Sequence, residues 1–338
     1  MLTDAQRAIR KTGLGSSDIG AVAGFSKWRN ALAVYADKRG LLDPTPETAF
    51  TKAGSRSEPL IAEYAVEALG CPVVTPAEFI DLVELHGRYS ETIAGDVRST
   101  GVFRHPEKSW ALASPDRFAL HPDGLANNEL KWVSQWNEDE WGPSGGDGVP
   151  ELYMIQAQWQ MFVTGIHQTF IAALIGGHDF RLYPIPFDRD LVRMLVDVGA
   201  TFWADHVVPG IPPKTEPGDP VLTELIRRKH PHADKGQEIE IDSGDPLVVE
   251  WIEARAAIQA SERRVEALRQ KFMERMGGAY RAKGPWGSAT FAEHAARKTT
   301  DWRALAVDAK IPKALVEKFT KTGEAKRVLT IRAKGDEE

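Results

Sequence analysis

The stretch NNELKWVSQW, residues Asn127 to Trp136, places Glu129 and Lys131 two positions apart within a strand-like run. Side chains two apart on a strand share one face of the sheet, so a carboxylate and an ammonium are presented together. On an arbitrary strand such a pair is a solvated surface contact worth little, and the flanking sequence decides whether that holds here. Upstream, WALASPDRFAL (110–120) reads as a second strand, and the turn-rich HPDGLANN (121–128) between the two makes a hairpin. Such pairing brings Asp116 beside Glu129 although thirteen positions separate them. Two carboxylates and an ammonium converging on a sheet edge suit one task. The carboxylates hold Mg²⁺, which wants oxygen ligands, and the lysine orients or helps deprotonate a metal-bound water and stabilises charge building on a phosphate.

Composition bounds the possibilities. The chain has 338 residues, 42% hydrophobic and 27% charged, as a folded, water-soluble protein of one large or two ordinary domains would. No apolar run approaches the roughly 18 to 20 residues that span a bilayer, and the N-terminus lacks the apolar segment of a secretory signal. The single cysteine, Cys71, excludes an internal disulfide framework and a multi-cysteine iron–sulfur cluster, and fits a reducing cytoplasm. A net charge of −6 argues against non-specific coating of nucleic acid but leaves room for a local basic groove.

The first part of the chain mixes helix and strand. SSDIGAVAGF reads as a short helix that Ser16, Ser17 or Asp18 can cap, and ALAVYADKRG as a helix closed by Gly40. SEPLIAEYAVEALG is amphipathic, with Leu60, Ile61, Tyr64, Ala65 and Ala68 on one face and Gly70 closing it. VPELYMIQAQWQMFVTG is a helix with proline at its first turn and glycine at its end. TFIAALIGG and FRLYPIPF are strands, and DRDLVRMLVDVGATFWADHVV is a helix. The spacing divides the chain into a core over 1–210, a Pro/Gly-rich linker over 211–221, and an accessory region over 222–338. That last region contains a long helix or helical pair with apolar positions three and four apart, then strands within PWGSATFAEHAARK and AKRVLTIRAK.

Four blocks occur in order: GLGSSDIGAVAGFSKW, AGSRSEPLIAEYA, ASPD with ELK, and VPELYMIQAQWQMFVTG. Together they resemble the YqaJ-like viral recombinases, the group that includes phage lambda exonuclease, over roughly residues 7 to 205. The resemblance implies a PD-(D/E)xK, restriction-endonuclease-like fold: an α/β (α+β) core with a mixed central sheet flanked by helices. It implies a Mg²⁺-dependent 5′→3′ exonuclease on linear double-stranded DNA that leaves 3′ overhangs for recombination. Two ions per site are expected, with Mn²⁺ able to substitute. A single-strand annealing protein is the expected partner, and a closed ring of copies, a trimer in relatives, the expected assembly.

The same resemblance assigns residues. Asp116, Glu129, the backbone carbonyl of Leu130 and the helix-borne Glu58 match metal ligands, Lys131 the catalytic lysine, and Gln156 the first glutamine of the helix beside the active site. Tyr153 and Gln160 share a face with Gln156 and are assigned to phosphate or DNA. Arg10 matches an arginine that reads a 5′-phosphate, a task its planar fork suits. Ser17 belongs to the same pocket, and Arg56 is a candidate backbone contact. Asp18 is read as a cap, and one of Gln158 and Gln160 as pointing elsewhere. Arg117 departs from the glycine often found after ASPD. Glu138, Asp139 and Glu140, which would repel DNA, are expected to face away. Trp28, Trp132, Trp136, Trp141 and Trp159 are read as packing before stacking. Two alternatives stand beside this reading: an endonuclease or RecB-like repair nuclease of the same superfamily, and a non-catalytic DNA-end binder.

Overall fold

A computed structural model describes residues 3–42, 48–84, 89–216, 218–230, 232, 237–292, 305 and 308–319. It separates into two compact units, residues 1–229 and 230–338. The first is built on a five-stranded mixed sheet in the order β1-β4-β5-β6-β7. These strands are β1 (Val73–Val74), β4 (Arg117–His121), β5 (Gly124–Val133), β6 (Gln168–Ile175) and β7 (Asp179–Pro186). All neighbours are antiparallel except β5 and β6, which run parallel from Asn127↔Thr169 to Val133↔Ile175. A parallel pair needs a crossover, and here it is helix α7, Glu151–Thr164. The expected mixed sheet flanked by helices is the architecture found.

Each face of β5 is covered by a different helix. Helix α4 (Ala49–Leu69) packs Ile61 and Ala65 against Leu130, Ala172 and Leu174. On the other face α7 sets Ala157 and Met161 against Val133, Ile171 and Ala173. The α4 face is narrower than its pattern suggests: Leu60 and Tyr64 stay largely exposed, and the Tyr64 ring stacks on Phe180 at 5.4 Å. Gly70 ends α4 in the left-handed conformation at φ 61°, which spares a Cβ penalty. Helix α2 (Ser16–Val22) lies against α7 at Gly20, where a Cβ would come within 2.5 Å of Leu152 Cδ1. Its N-cap is Gly15, whose amide donates to Asp18 Oδ2 at 2.9 Å, so Ser16 and Ser17 are not the caps.

Pairing in the expected hairpin begins only at Arg117, opposite Asn128. The segment before it turns away, and β3 (Leu112–Ala113) pairs instead with β2 (Phe103–Arg104). Trp159 of α7 is fully buried beneath that turn and donates its ring N–H to the carbonyl oxygens of Leu112 at 3.0 Å and Leu14 at 3.3 Å. The first unit also reaches further than the composition suggests. Val221, Leu222 and Leu225 of helix α9 (Pro220–Lys229) pack on the main core, so the first unit continues past the Pro/Gly-rich stretch expected as a linker. Apolar side chains just beyond that stretch draw the chain back.

In the second unit α10 (Pro246–Met276) is one continuous helix of 31 residues rather than a pair. A hairpin of β8 (Arg281–Gly284) and β9 (Gly287–Thr290) follows. The AKRVLTIRAK stretch lies outside the described residues. Because Trp159 fills the centre of the first unit and satisfies two strand carbonyls, Trp159→Ala is expected to cost about 3–5 kcal/mol, read as a lowered urea midpoint with α7 helicity retained.

Candidate active site

The site forms where β5 leaves the Asn128–Arg117 pair. Asp116, the residue just before the first paired residue Arg117, places its carboxylate so that Oδ2 accepts the Leu130 amide at 2.9 Å. Glu129 is 2% exposed, although it carries a carboxylate. Three donors compensate its burial. The Gln156 amide gives an N–H to Oε1 at 2.5 Å, the Gln160 amide to Oε2 at 2.6 Å, and Lys131 Nζ to Oε1 at 2.5 Å. Gln156 and Gln160 are one helical turn apart on α7, so both amides reach the same strand residue. Lys131 Nζ also donates to Gln156 Oε1 at 3.2 Å and lies 4.8 Å from the centre of the Tyr153 ring.

The electrostatics separate the two carboxylates. Burial, then the neighbouring Glu129 charge, pushes the Asp116 pKa up to about 8 against the opposing pull of Lys131 and the Leu130 amide. Burial also raises Glu58, at the rim, beyond what Arg117 takes back. Lys131 behaves oppositely: burial favours its neutral form, but Glu129 and Asp116 outweigh that and raise its pKa. The lysine is therefore held as ammonium, a donor and a positive charge rather than a base.

A cleft of about 380 Å³ opens beside Asp116 and Glu58 and is lined also by Arg10, Arg98, Arg117 and Thr75. Arg117 donates to the Asp116 carbonyl at 2.6 Å, which fixes its guanidinium at the mouth. Arg98 pairs with Asp81 at 2.8 Å. Behind the cleft, Lys38 Nζ donates to the Arg10 carbonyl at 2.7 Å and pairs with buried Asp18 at 2.6 Å. Burial pushes the Asp18 pKa up, yet Lys38 and Arg29 outweigh it and hold it below the usual range. The sequence reading took Asp18 for a cap; it is also the anchor of a buried ion network.

The structure thus brings Asp116, Glu129, Lys131, Gln156 and Tyr153 together, with Glu58 and Arg10 on the same cleft. It does not bring Ser17 there: that side chain is exposed on α2 and is not among the residues lining the cleft. Arg56 is exposed on α4, outside that lining as well. Gln160 is corrected: it is fully buried, so it cannot meet DNA, and its amide serves Glu129. Gln158 points away, bonding Pro186 O and the Asp188 amide. Glu138 pairs with Arg181 and Glu140 with Lys27. Arg98 and Lys38 were missed. A lone arginine on one helix and a lysine inside another carry no local signal, whereas the four-residue spacing of Gln156 and Gln160 could have shown that both serve one partner.

The residues fit a divalent cation of modest protein coordination. Among the described residues no three His, Cys, Asp or Glu side chains are spaced to enclose an ion. Mg²⁺, however, keeps several waters and is commonly held by one or two carboxylates together with substrate phosphate. Two neighbouring carboxylates, one of them pushed up to about 8 by burial and then by the other's charge, are a donor set that a cation relieves.

Residues 7–167 match the YqaJ-like viral recombinase domain, which establishes the resemblance read from the four blocks. The Bacillus subtilis protein YqaJ is 25% identical over 240 residues, covering 70% of this chain and 66% of the relative, so the match spans just under two thirds of that protein's length. Among solved structures, an alkaline exonuclease from Laribacter hongkongensis superimposes with a TM-score of 0.45 at 16% identity, covering 67% of this chain and 96% of that one. The same exonuclease in complex with dAMP gives 0.44 at 18% identity, covering 67% and 97%.

Two outcomes check the site. The folded protein keeps a proton on Asp116 up to about pH 8, whereas the unfolded chain releases it at about 3.9. Between those values the native state binds more protons, so the Asp116 contribution to metal-free stability falls as pH rises. In chelator, Asp116→Asn should therefore raise the melting temperature at pH 8, with the gain shrinking toward pH 4. Replacing Gln160 by Leu removes one donor from Glu129 and should weaken divalent-metal binding about 10- to 100-fold by calorimetry, with little change in fold.

Proposed function

We propose that this protein is a divalent-metal-dependent deoxyribonuclease that degrades linear duplex DNA from its ends for recombination. The observation that carries the reading is the convergence of Asp116, Glu129 and Lys131, with the lysine held as ammonium and the aspartate raised by burial and by its neighbour. A solvated ion pair would not be buried under a helix that spends two glutamines on it. The match to a viral recombinase domain supports a role in recombination.

In this reading Asp116, Glu129 and the Leu130 carbonyl would hold the metal, with Glu58 at the rim. A bound divalent ion supplies a more acidic water and neutralises charge on the phosphate. Lys131 donates to the attacking oxygen or to a phosphate oxygen and stabilises charge as it builds. Gln156 holds both Lys131 and Glu129 in place, and Tyr153 limits where the ammonium can go. Arg10, Arg98 and Arg117 supply the cleft with guanidinium groups suited to phosphates. Ser17 and Arg56, both on the surface, would act only as contacts along the DNA.

The finer features rest on the family resemblance. These are Mg²⁺ with two ions per site, 5′→3′ polarity with 3′ overhangs, a ring of copies threaded by the duplex, a single-strand annealing partner, and a cytoplasmic setting. No described helix is long and apolar enough to cross a membrane.

The deciding experiment incubates linear duplex, labelled at one 5′ or 3′ end, and closed circular DNA with Mg²⁺. Loss of the linear form from its 5′ end is expected, with the circle intact and Lys131→Ala slower by about 10²–10⁴-fold. Cutting of the circle would make the protein an endonuclease. Carboxylate-independent DNA binding without cleavage, at any divalent ion, would make it a binder.

A further inference from the structure

Helix α10 is about 46 Å long at the usual rise per residue, and none of its residues is buried. It nevertheless carries an apolar seam. Steps of three and four lead from Trp251 through Ala254, Ile258, Ser261, Val265 and Leu268 to Phe272. Ile258 is 59% exposed, Val265 57% and Leu268 49%, so these three are left uncovered among the described residues. A strict seven-residue repeat keeps a seam turned toward a second helix, with slight supercoiling, rather than toward a sheet. Taking Trp251 as the first position of the repeat puts Ile258 and Val265 at a and Leu268 at d, the arrangement that favours two strands. A groove of about 500 Å³ runs along Ile258, Ser261 and Val265 at the middle of this seam.

The charges beside the seam say which helix fits. Over the helix the e and g positions hold Arg255, Arg264, Arg269 and Lys271 against Glu250 and Glu262, four cations to two anions. The outward positions reverse the balance, with Glu253, Glu266 and Glu274 against Arg263. Cations are thus concentrated along the edges of the apolar stripe, where interhelical pairs select a partner. A second copy is the wrong complement. Parallel pairing would set the Arg264 row against the Arg269 row, and antiparallel pairing with Ile258 facing Leu268 would bring the two Arg264 side chains together. We infer that α10 is a docking face for one amphipathic helix of another protein, apolar along its seam and acidic on its flanks. The inference concerns the second unit alone and is independent of the nuclease reading.

The test uses the full chain and two synthetic peptides of about four heptads, each with Ile at a and Leu at d, one with Glu and one with Lys at every e and g position. By fluorescence anisotropy the acidic peptide should bind at least about ten-fold more tightly than the basic one, and less tightly as salt rises. Val265→Gln, with helicity unchanged by circular dichroism, should weaken it about ten-fold. The Arg264→Glu/Arg269→Glu double variant, which keeps the seam, should reverse the preference between peptides. Failure of the acidic peptide to bind, or equal binding of both, overturns the inference. So does a dimer by sedimentation that Val265→Gln dissociates, which would give the seam to a second copy. Displacement of the acidic peptide from wild type by duplex DNA, with direct binding of the same DNA weakened in the double variant, would assign the face to nucleic acid instead.

Discussion

One buried carboxylate organises the first unit. Glu129 lies inside the sheet-helix interface, where an unpaired charge would be prohibitively costly. Removing one partner of such a group costs far more than an average hydrogen bond contributes. The protein answers with donors on two sides, a lysine from the same strand face and two amides from the covering helix. Everything that fixes α7 over β5 therefore also fixes the site.

That fixing is distributed around α7. Gln158 ties the helix to Pro186 and Asp188, Trp159 ties it to Leu14 and Leu112, and the Thr164 hydroxyl donates to Asn127 Oδ1 at its far end. Glutamines 156, 158 and 160 look alike in the sequence but do different work, because a helix turns about 100° per residue. Gln156 and Gln160 face the strand, and Gln158 faces the edge. A rigid helix with anchors on several faces leaves Glu129 and Lys131 little room to rearrange, which is what a preorganised electrostatic site requires.

The total charge is −6, yet Arg10, Arg98 and Arg117 collect on one cleft beside two carboxylates of raised pKa. Local placement overrides the net balance, since screening confines each charge to its surroundings within about 10 Å. The buried Asp18–Lys38 pair continues this arrangement inward, because the Lys38 ammonium also holds the backbone of Arg10. Buried ion pairs are poor sources of stability; this one sits where it orients a segment of the cleft wall.

The sequence by itself determined the strand, the hairpin and the facing pair. Period-two alternation puts Glu129 and Lys131 together, and the HPDGLANN turn pairs the strands as far as Arg117; the last step, which brings the Asp116 carboxylate onto the Leu130 amide, belongs to the folded chain. Glycine and proline punctuation likewise marked α4 and α7, since their φ limits act locally. Other features were decided only in three dimensions. The α9 return to the core, the burial of Gln160, the exposure of Ser17 and the arrival of Arg98 at the cleft each depend on contacts between segments far apart in the chain. Local rules do not reach so far: a glutamine on a helix face is a surface residue or a buried donor according to what packs over it, and only the folded protein supplies Glu129 as its partner.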